Sequence, residues 1–125
     1  MQEQVLTIRQ QILDAKSNGQ KLLAVLLDPD KIELENLNYL IDKINRSPAT
    51  HVFVGGSIVQ NTILEELIAA LKQKTNLPVI LFPGDPSQMS PQADGVLFLA
   101  LMSGTDPNYL IEYQVQAAPI LKKTN

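Results

Sequence analysis

Residues 22–31 read Leu-Leu-Ala-Val-Leu-Leu-Asp-Pro-Asp-Lys, and the step from six apolar residues to a carboxylate decides the fold. An uninterrupted apolar run that stops abruptly at polar residues is the pattern of a strand buried on both faces of a parallel sheet. Upstream, Val5, Ile8, Ile12 and Ala15 recur at steps of three and four, which predicts a lead-in helix over 2–18 with Gly19 placed to end it. Downstream, Asp30 stands at capping distance from Glu33. Leu34, Leu37, Leu40, Ile41 and Ile44 then form one apolar stripe, predicting a helix over 33–46.

The cycle repeats along the chain. Val-Phe-Val-Gly-Gly at 52–56 reads as a second strand, and Ile63, Leu64, Leu67, Ile68 and Leu71 mark a second amphipathic helix over 61–74. Pro78 introduces a third strand at 79–82. Residues 83–92 hold three prolines and no apolar period, so this connection is expected to be a loop with at most one helical turn. A fourth strand at 96–101 precedes Asp106-Pro107, an N-cap and first-turn pair that opens a helix to Lys122. Strands alternating with crossovers predict right-handed βαβ units, hence an α/β fold with a parallel sheet in a single domain spanning 1–125.

Composition bounds the function. A chain with 45% hydrophobic and 18% charged residues can bury an ordinary core. The net charge of −3 and the lack of a basic run argue against nucleic-acid binding. There is no Cys, which rules out disulfides and thiolate chemistry and fits a cytoplasmic setting. The longest apolar runs, 22–27 and 96–102, are six and seven residues, against the roughly 20 that span a bilayer. The N-terminal stretch carries acidic residues and lacks the apolar core of a secretory signal. No transmembrane segment is expected, although peripheral contact with a membrane remains compatible with this composition.

Each apolar run ends in polar residues: Asp28-Pro29-Asp30, Gly55-Gly56-Ser57, Pro83-Gly84-Asp85 and Ser103-Gly104-Thr105-Asp106. In a parallel sheet all four clusters fall at the carboxyl edge, where α/β folds place their sites. Asp28 has two readings there: a ligand for Mg2+, which bridges carboxylates to substrate phosphates, or the cap of the turn that follows. Asp30 reads as the helix cap. Gly55 and Gly56 permit close backbone approach to a substrate phosphate, or simply make a tight turn. The Ser57 hydroxyl is placed to join a metal or phosphate shell. No Gly-Lys-Ser/Thr follows, so this is not a Walker loop. His51, the only His, falls at the amino end of its strand and reads as structural, and Lys72, Lys74, Lys122 and Lys123 lie near helix ends, where they oppose the dipole.

Taken in order, LLAVLLDPDK (22–31), VFVGGS (52–57), PVILFPG (78–84) and ADGVLFLALMSGTDPNYLI (93–111) resemble the N-terminal half of the geranylgeranylglyceryl/heptaprenylglyceryl phosphate synthase (PcrB-like) family. The resemblance implies the N-terminal half of a (β/α)8 TIM barrel, a fold that needs about 250 residues to close. It implies a prenyltransferase that joins an allylic prenyl diphosphate, such as geranylgeranyl diphosphate, to sn-glycerol 1-phosphate, making an ether lipid precursor and releasing pyrophosphate. Carried over residue by residue, it implies that Asp28 and Ser57 contribute to Mg2+ binding, with Gly55 and Gly56 beside the substrate. Some members carry a Lys two residues before the motif Asp, in contact with glycerol phosphate; here that position is Leu26.

The family's later Tyr and Glu segment and its glycine-rich phosphate loops have no counterpart before Asn125, so 1–125 alone is expected to be inactive. The expected partner is a complementary C-terminal half or, as a homo-oligomer, a second copy that closes the barrel. The alternative outside enzymology is a non-catalytic four-stranded α/β module that binds phosphate or another protein.

Overall fold

The computed structural model describes residues 7–56, 63–82, 89–97 and positions 115, 116, 118, 119 and 122. Helix α1 (Ile8–Ser17) begins at a capping box. The Thr7 hydroxyl accepts the Gln10 N–H at 3.2 Å, and the Gln10 side chain accepts the Thr7 N–H at 3.1 Å. It ends as its sequence predicts. Gly19 has φ +70°, the Gly19 N–H bonds to Lys16 O at 3.2 Å, and the Gln20 N–H bonds to Ala15 O at 2.9 Å. These paired bonds satisfy the last carbonyls of the helix.

Strands β1 (Ala24–Leu27), β2 (His51–Val54), β3 (Val79–Leu81) and β4 (Gly95–Val96) form one sheet in the order β1-β2-β3-β4, with every pairing parallel. Helix α2 (Leu37–Arg46) links β1 to β2, and α3 (Leu64–Lys74) precedes β3. The described part of the third connection makes turns over 91–94, and 83–88 of the expected loop lie outside the described residues. Of the remaining expectations, 98–101 of the fourth strand lies outside the described residues. The last helix is represented by helical positions at 115, 116, 118, 119 and 122.

The register sorts side chains onto two faces. Leu27, Val52, Val54, Val79 and Leu81 point outward and pack with Leu37, Ile41 and Ile44 of α2 and Leu64, Leu67, Ile68 and Leu71 of α3 in one core. Both helices contribute residues at three- and four-residue steps, so helical period and strand alternation meet in the same layer. Ala24, Leu26, His51, Phe53, Ile80 and Gly95 fall on the opposite, inner face. There α1 covers the amino-terminal end of the sheet: Ile8 and Ile12 share a cavity of about 410 Å³ with His51, Phe53 and Ile80.

Two expectations need correction. The first strand is not buried on both faces: Leu22 and Leu23 precede the ladder and are exposed, and Leu26 is 55% exposed on the inner face. The second helix starts at Leu37, not at 33, and Asp30 does not cap it. Pro29 instead turns the chain into a 3-10 turn over Pro29–Lys31, and a second such turn, Leu34–Asn36, precedes α2. The first turn takes Asp28 as its cap. Asp30 contributes its N–H to Asp28 rather than a side-chain cap to the helix.

Candidate functional site

At the carboxyl edge, β1 ends one residue before Asp28. Asp28 Oδ1 accepts the Asp30 N–H at 3.0 Å, and the Asp28 carbonyl accepts the Lys31 N–H at 3.0 Å. The capping reading of Asp28 is therefore realised, and it leaves the half-buried carboxylate at the strand end. Next to it, β2 runs into Gly55, whose N–H donates to Leu27 O at 3.0 Å and carries the ladder one residue past Val54. Gly55 has φ +151°, a backbone conformation that side chains disfavour. Gly56 is constrained differently. A Cβ added there would lie 2.9 Å from Asp28 Oδ2, 3.0 Å from its Cγ and 3.1 Å from Oδ1.

The structure thus brings together Asp28, Gly55 and Gly56. Ser57, Pro83-Gly84-Asp85 and 103–106 lie outside the described residues. Among the described residues no group of three or more His, Asp or Glu side chains is arranged to hold a metal by itself. One hard carboxylate at an open strand end fits instead a cation that shares its coordination with substrate phosphates, as Mg2+ does.

The amino edge is built for structure. His51 is buried; its Nδ1 lies 2.8 Å from Thr50 Oγ1, and among the described residues Nε2 has no hydrogen-bond partner. Burial pushes its pKa below the ordinary 6.5, because the charged form loses hydration. Thr50 ties the start of β1, its hydroxyl accepting the Leu23 N–H at 2.9 Å. Lys72 pairs with Asp94 at 2.5 Å, and Lys74 bonds to Asn38, so both lysines of the last α3 turn have structural partners.

Sequence reasoning missed two anchoring carboxylates. Asp94 accepts the Val79 N–H at 2.8 Å through Oδ2 and donates its own N–H to Val79 O at 2.8 Å, fastening β4 to β3. Its signal was an Asp-Gly pair directly before an apolar strand. Glu65 accepts from the Ser90 hydroxyl at 2.9 Å and from the Gln92 amide, holding the third connection against α3. No periodicity reveals that contact.

Four parallel strands with α2 and α3 packed on one face, and with Asp28 and the glycine pair at the carboxyl edge, form half of a (β/α)8 barrel. The chain belongs to the PcrB family, whose sequence pattern matches residues 16–125. It is 73% identical over 126 residues to a geranylgeranylglyceryl phosphate synthase of Flavobacterium johnsoniae, a match that covers 100% of this chain and 52% of that protein. A synthase of the same name from Zunongwangia profunda is 49% identical over 110 residues, covering 88% and 47% of the two chains. Among solved structures, the (S)-3-O-geranylgeranylglyceryl phosphate synthase of Thermoplasma acidophilum, in complex with sn-glycerol-1-phosphate, superposes with a TM-score of 0.86 at 30% identity. That match covers 95% of this chain and 48% of the other. The chain spans about half the length of the curated relatives it matches. Among the described residues no helix is long and apolar enough to cross a membrane.

Proposed function

We propose that this chain supplies the metal and diphosphate side of a Mg2+-dependent prenyltransferase that joins an allylic prenyl diphosphate to sn-glycerol 1-phosphate. The observation that carries the reading is the Asp28 carboxylate, fixed at the carboxyl end of β1 beside the glycine pair of β2. The names of the relatives and the sn-glycerol-1-phosphate bound by the Thermoplasma acidophilum enzyme support the substrate pair. In this reading Asp28 and Ser57 hold the cation, and Gly55 and Gly56 leave room for the diphosphate.

The glycerol phosphate hydroxyl attacks C1 of the prenyl group, the C1–O bond to the diphosphate breaks, an ether bond forms, the hydroxyl proton is lost and pyrophosphate leaves. Mg2+ would neutralise charge on the departing pyrophosphate. Asp28 would hold that cation at the mouth of the sheet, and the edge glycines would keep side chains out of the diphosphate's path. We assign the glycerol phosphate side to the half of the relatives that residues 1–125 do not cover. We place the reaction in the cytoplasm, with peripheral membrane contact for the lipid product.

The test is incorporation of radiolabelled sn-glycerol 1-phosphate into lipid by the purified polypeptide of residues 1–125, with and without the C-terminal half of a related synthase. No product is expected from 1–125 alone, and Mg2+-dependent product is expected from the mixture. Asp28→Ala should lower the mixture's rate by about 100-fold or more. Product from 1–125 alone would favour a self-completing homodimer. A mixture that binds Mg2+ and pyrophosphate yet makes no product would favour a phosphate-binding module.

A further inference from the structure

We infer that Gly56 is a positioning residue that acts through Asp28: by lacking a Cβ it admits the Asp28 carboxylate to the place at the end of β1 from which it would face a bound cation. The inference rests on the metal assignment of Asp28 made above. The two glycines of the pair have different reasons to be glycine. Gly55 takes a φ of +151°, whereas Gly56 has no positive φ that would call for glycine. What the position does not accept is volume, since a Cβ would stand 2.9 Å from Asp28 Oδ2 and 3.0 Å from Cγ.

The carboxylate has little freedom to give way. Its Oδ1 is held by the Asp30 N–H at 3.0 Å. Its backbone is held by the Lys31 N–H and by Pro29, which is fully buried and has a fixed φ. The separation of the two strand ends is set by the Leu27–Val54 pairing and by the Gly55 N–H on Leu27 O. A methyl group at 56 would therefore push the carboxylate away from its present contacts, the Asp30 amide among them, or part the strand ends. In either case the charge leaves its place. This cradle spans two strands and makes Gly56 a determinant of where the Asp28 carboxylate sits.

The experiment uses the 15N-labelled chain with Mg2+ and inorganic pyrophosphate as probes, comparing wild type, Gly56→Ala, Asp28→Ala and the double variant. The Asp30 amide resonance reports where the carboxylate is, with or without metal. In Gly56→Ala that resonance should move toward its position in Asp28→Ala, and affinity for pyrophosphate in the presence of Mg2+ should fall by about 10-fold or more. Adding Gly56→Ala to Asp28→Ala should cause no further loss and should restore any folding lost in Gly56→Ala alone, because the clash partner is gone. A purely structural role would instead lower Tm equally in both backgrounds. An unmoved Asp30 amide, losses that add in the double variant, or a double variant that does not fold would overturn the inference. If wild type shows no Mg2+-dependent pyrophosphate binding, the metal assignment falls, while the Asp30 resonance still decides whether Gly56 sets the carboxylate.

Discussion

On the outer face of the sheet Val52, Val54 and Val79 are wholly buried beneath α2 and α3, while on the inner face Leu26, next to the buried Leu27, is 55% exposed. Among the described residues the inner face is covered at its amino-terminal end, where α1 lies over His51 and Ile80. A strand that carries large apolar residues on both faces but packs on one is what half of a closed barrel leaves, since a barrel interior is a filled core rather than a pore. The outer layer therefore holds the fold of this chain. The inner layer contributes less to it, since Leu26 stays largely exposed there.

The largest expected effect tests that division directly. Leu67 is fully buried in the outer core, and Leu67→Ala should cost the 1–125 polypeptide about 3 kcal/mol, read from its urea midpoint. Leu26→Ala should cost less than about 1 kcal/mol in the same chain, because a half-exposed side chain leaves little cavity. The Leu26 penalty should grow when a C-terminal half is added. Equal penalties in 1–125 alone would break the comparison and point to an inner face already closed in solution by a second copy.

How much of this was legible in sequence depends on the kind of contact. The order of strands and helices follows from periodicity: Ile41, Ile44, Leu67 and Leu71 sit where their stripes predicted. The face of a strand was not legible in Leu-Leu-Ala-Val-Leu-Leu, because an apolar run gives both faces the same signal. The start of α2 was misread because Asp30 and Glu33 stand at capping-box spacing, while Pro29 and the short reach from Asp28 to the Asp30 N–H favour a 3-10 turn there. Asp28 and the Gly55–Gly56 pair were visible as strand ends. Their mutual contact was not, since it depends on the register between strands far apart in sequence.

An intermediate effect lies at β4, where Gly95 and Val96 are only half-buried and packing on neither face suffices. There Asp94 replaces packing with polar bonds. Asp94→Ala removes the acceptor of the Val79 N–H and the partner of Lys72, and should cost about 2 kcal/mol, mostly through the unsatisfied donor. Asp94→Asn keeps an acceptor for Val79 and loses only a partly exposed ion pair, so about 0.5 kcal/mol is expected. Hydrogen exchange at Leu97, whose N–H bonds to Leu81 O at 2.9 Å, should speed up in the Ala variant. Equal exchange in both variants would mean that β4 is held by something other than Asp94.

The smallest effect concerns the closed end of the inner face, and it is read by pH. His51 is 7% exposed, and burial holds its folded pKa below the 6.5 of a free imidazole. When pH falls below 6.5 the unfolded chain takes up a proton at His51 that the folded chain does not yet bind, so the unfolded state holds more protons and stability falls. The contribution is present in full above 6.5 and is lost progressively as pH drops from there toward the lower folded value. Urea midpoints taken from about pH 7.5 to about pH 5.5 should therefore decline, and His51→Gln should flatten that decline, since the carboxylates titrate mainly below this interval. Because the shift comes from burial and not from a neighbouring charge, replacing Ile8 and Ile12 by Ala should also flatten it by admitting water to the imidazole. A slope that survives His51→Gln unchanged would place the pH response elsewhere. A slope lost in His51→Gln but untouched by the α1 substitutions would show that α1 is not what seals this end of the sheet.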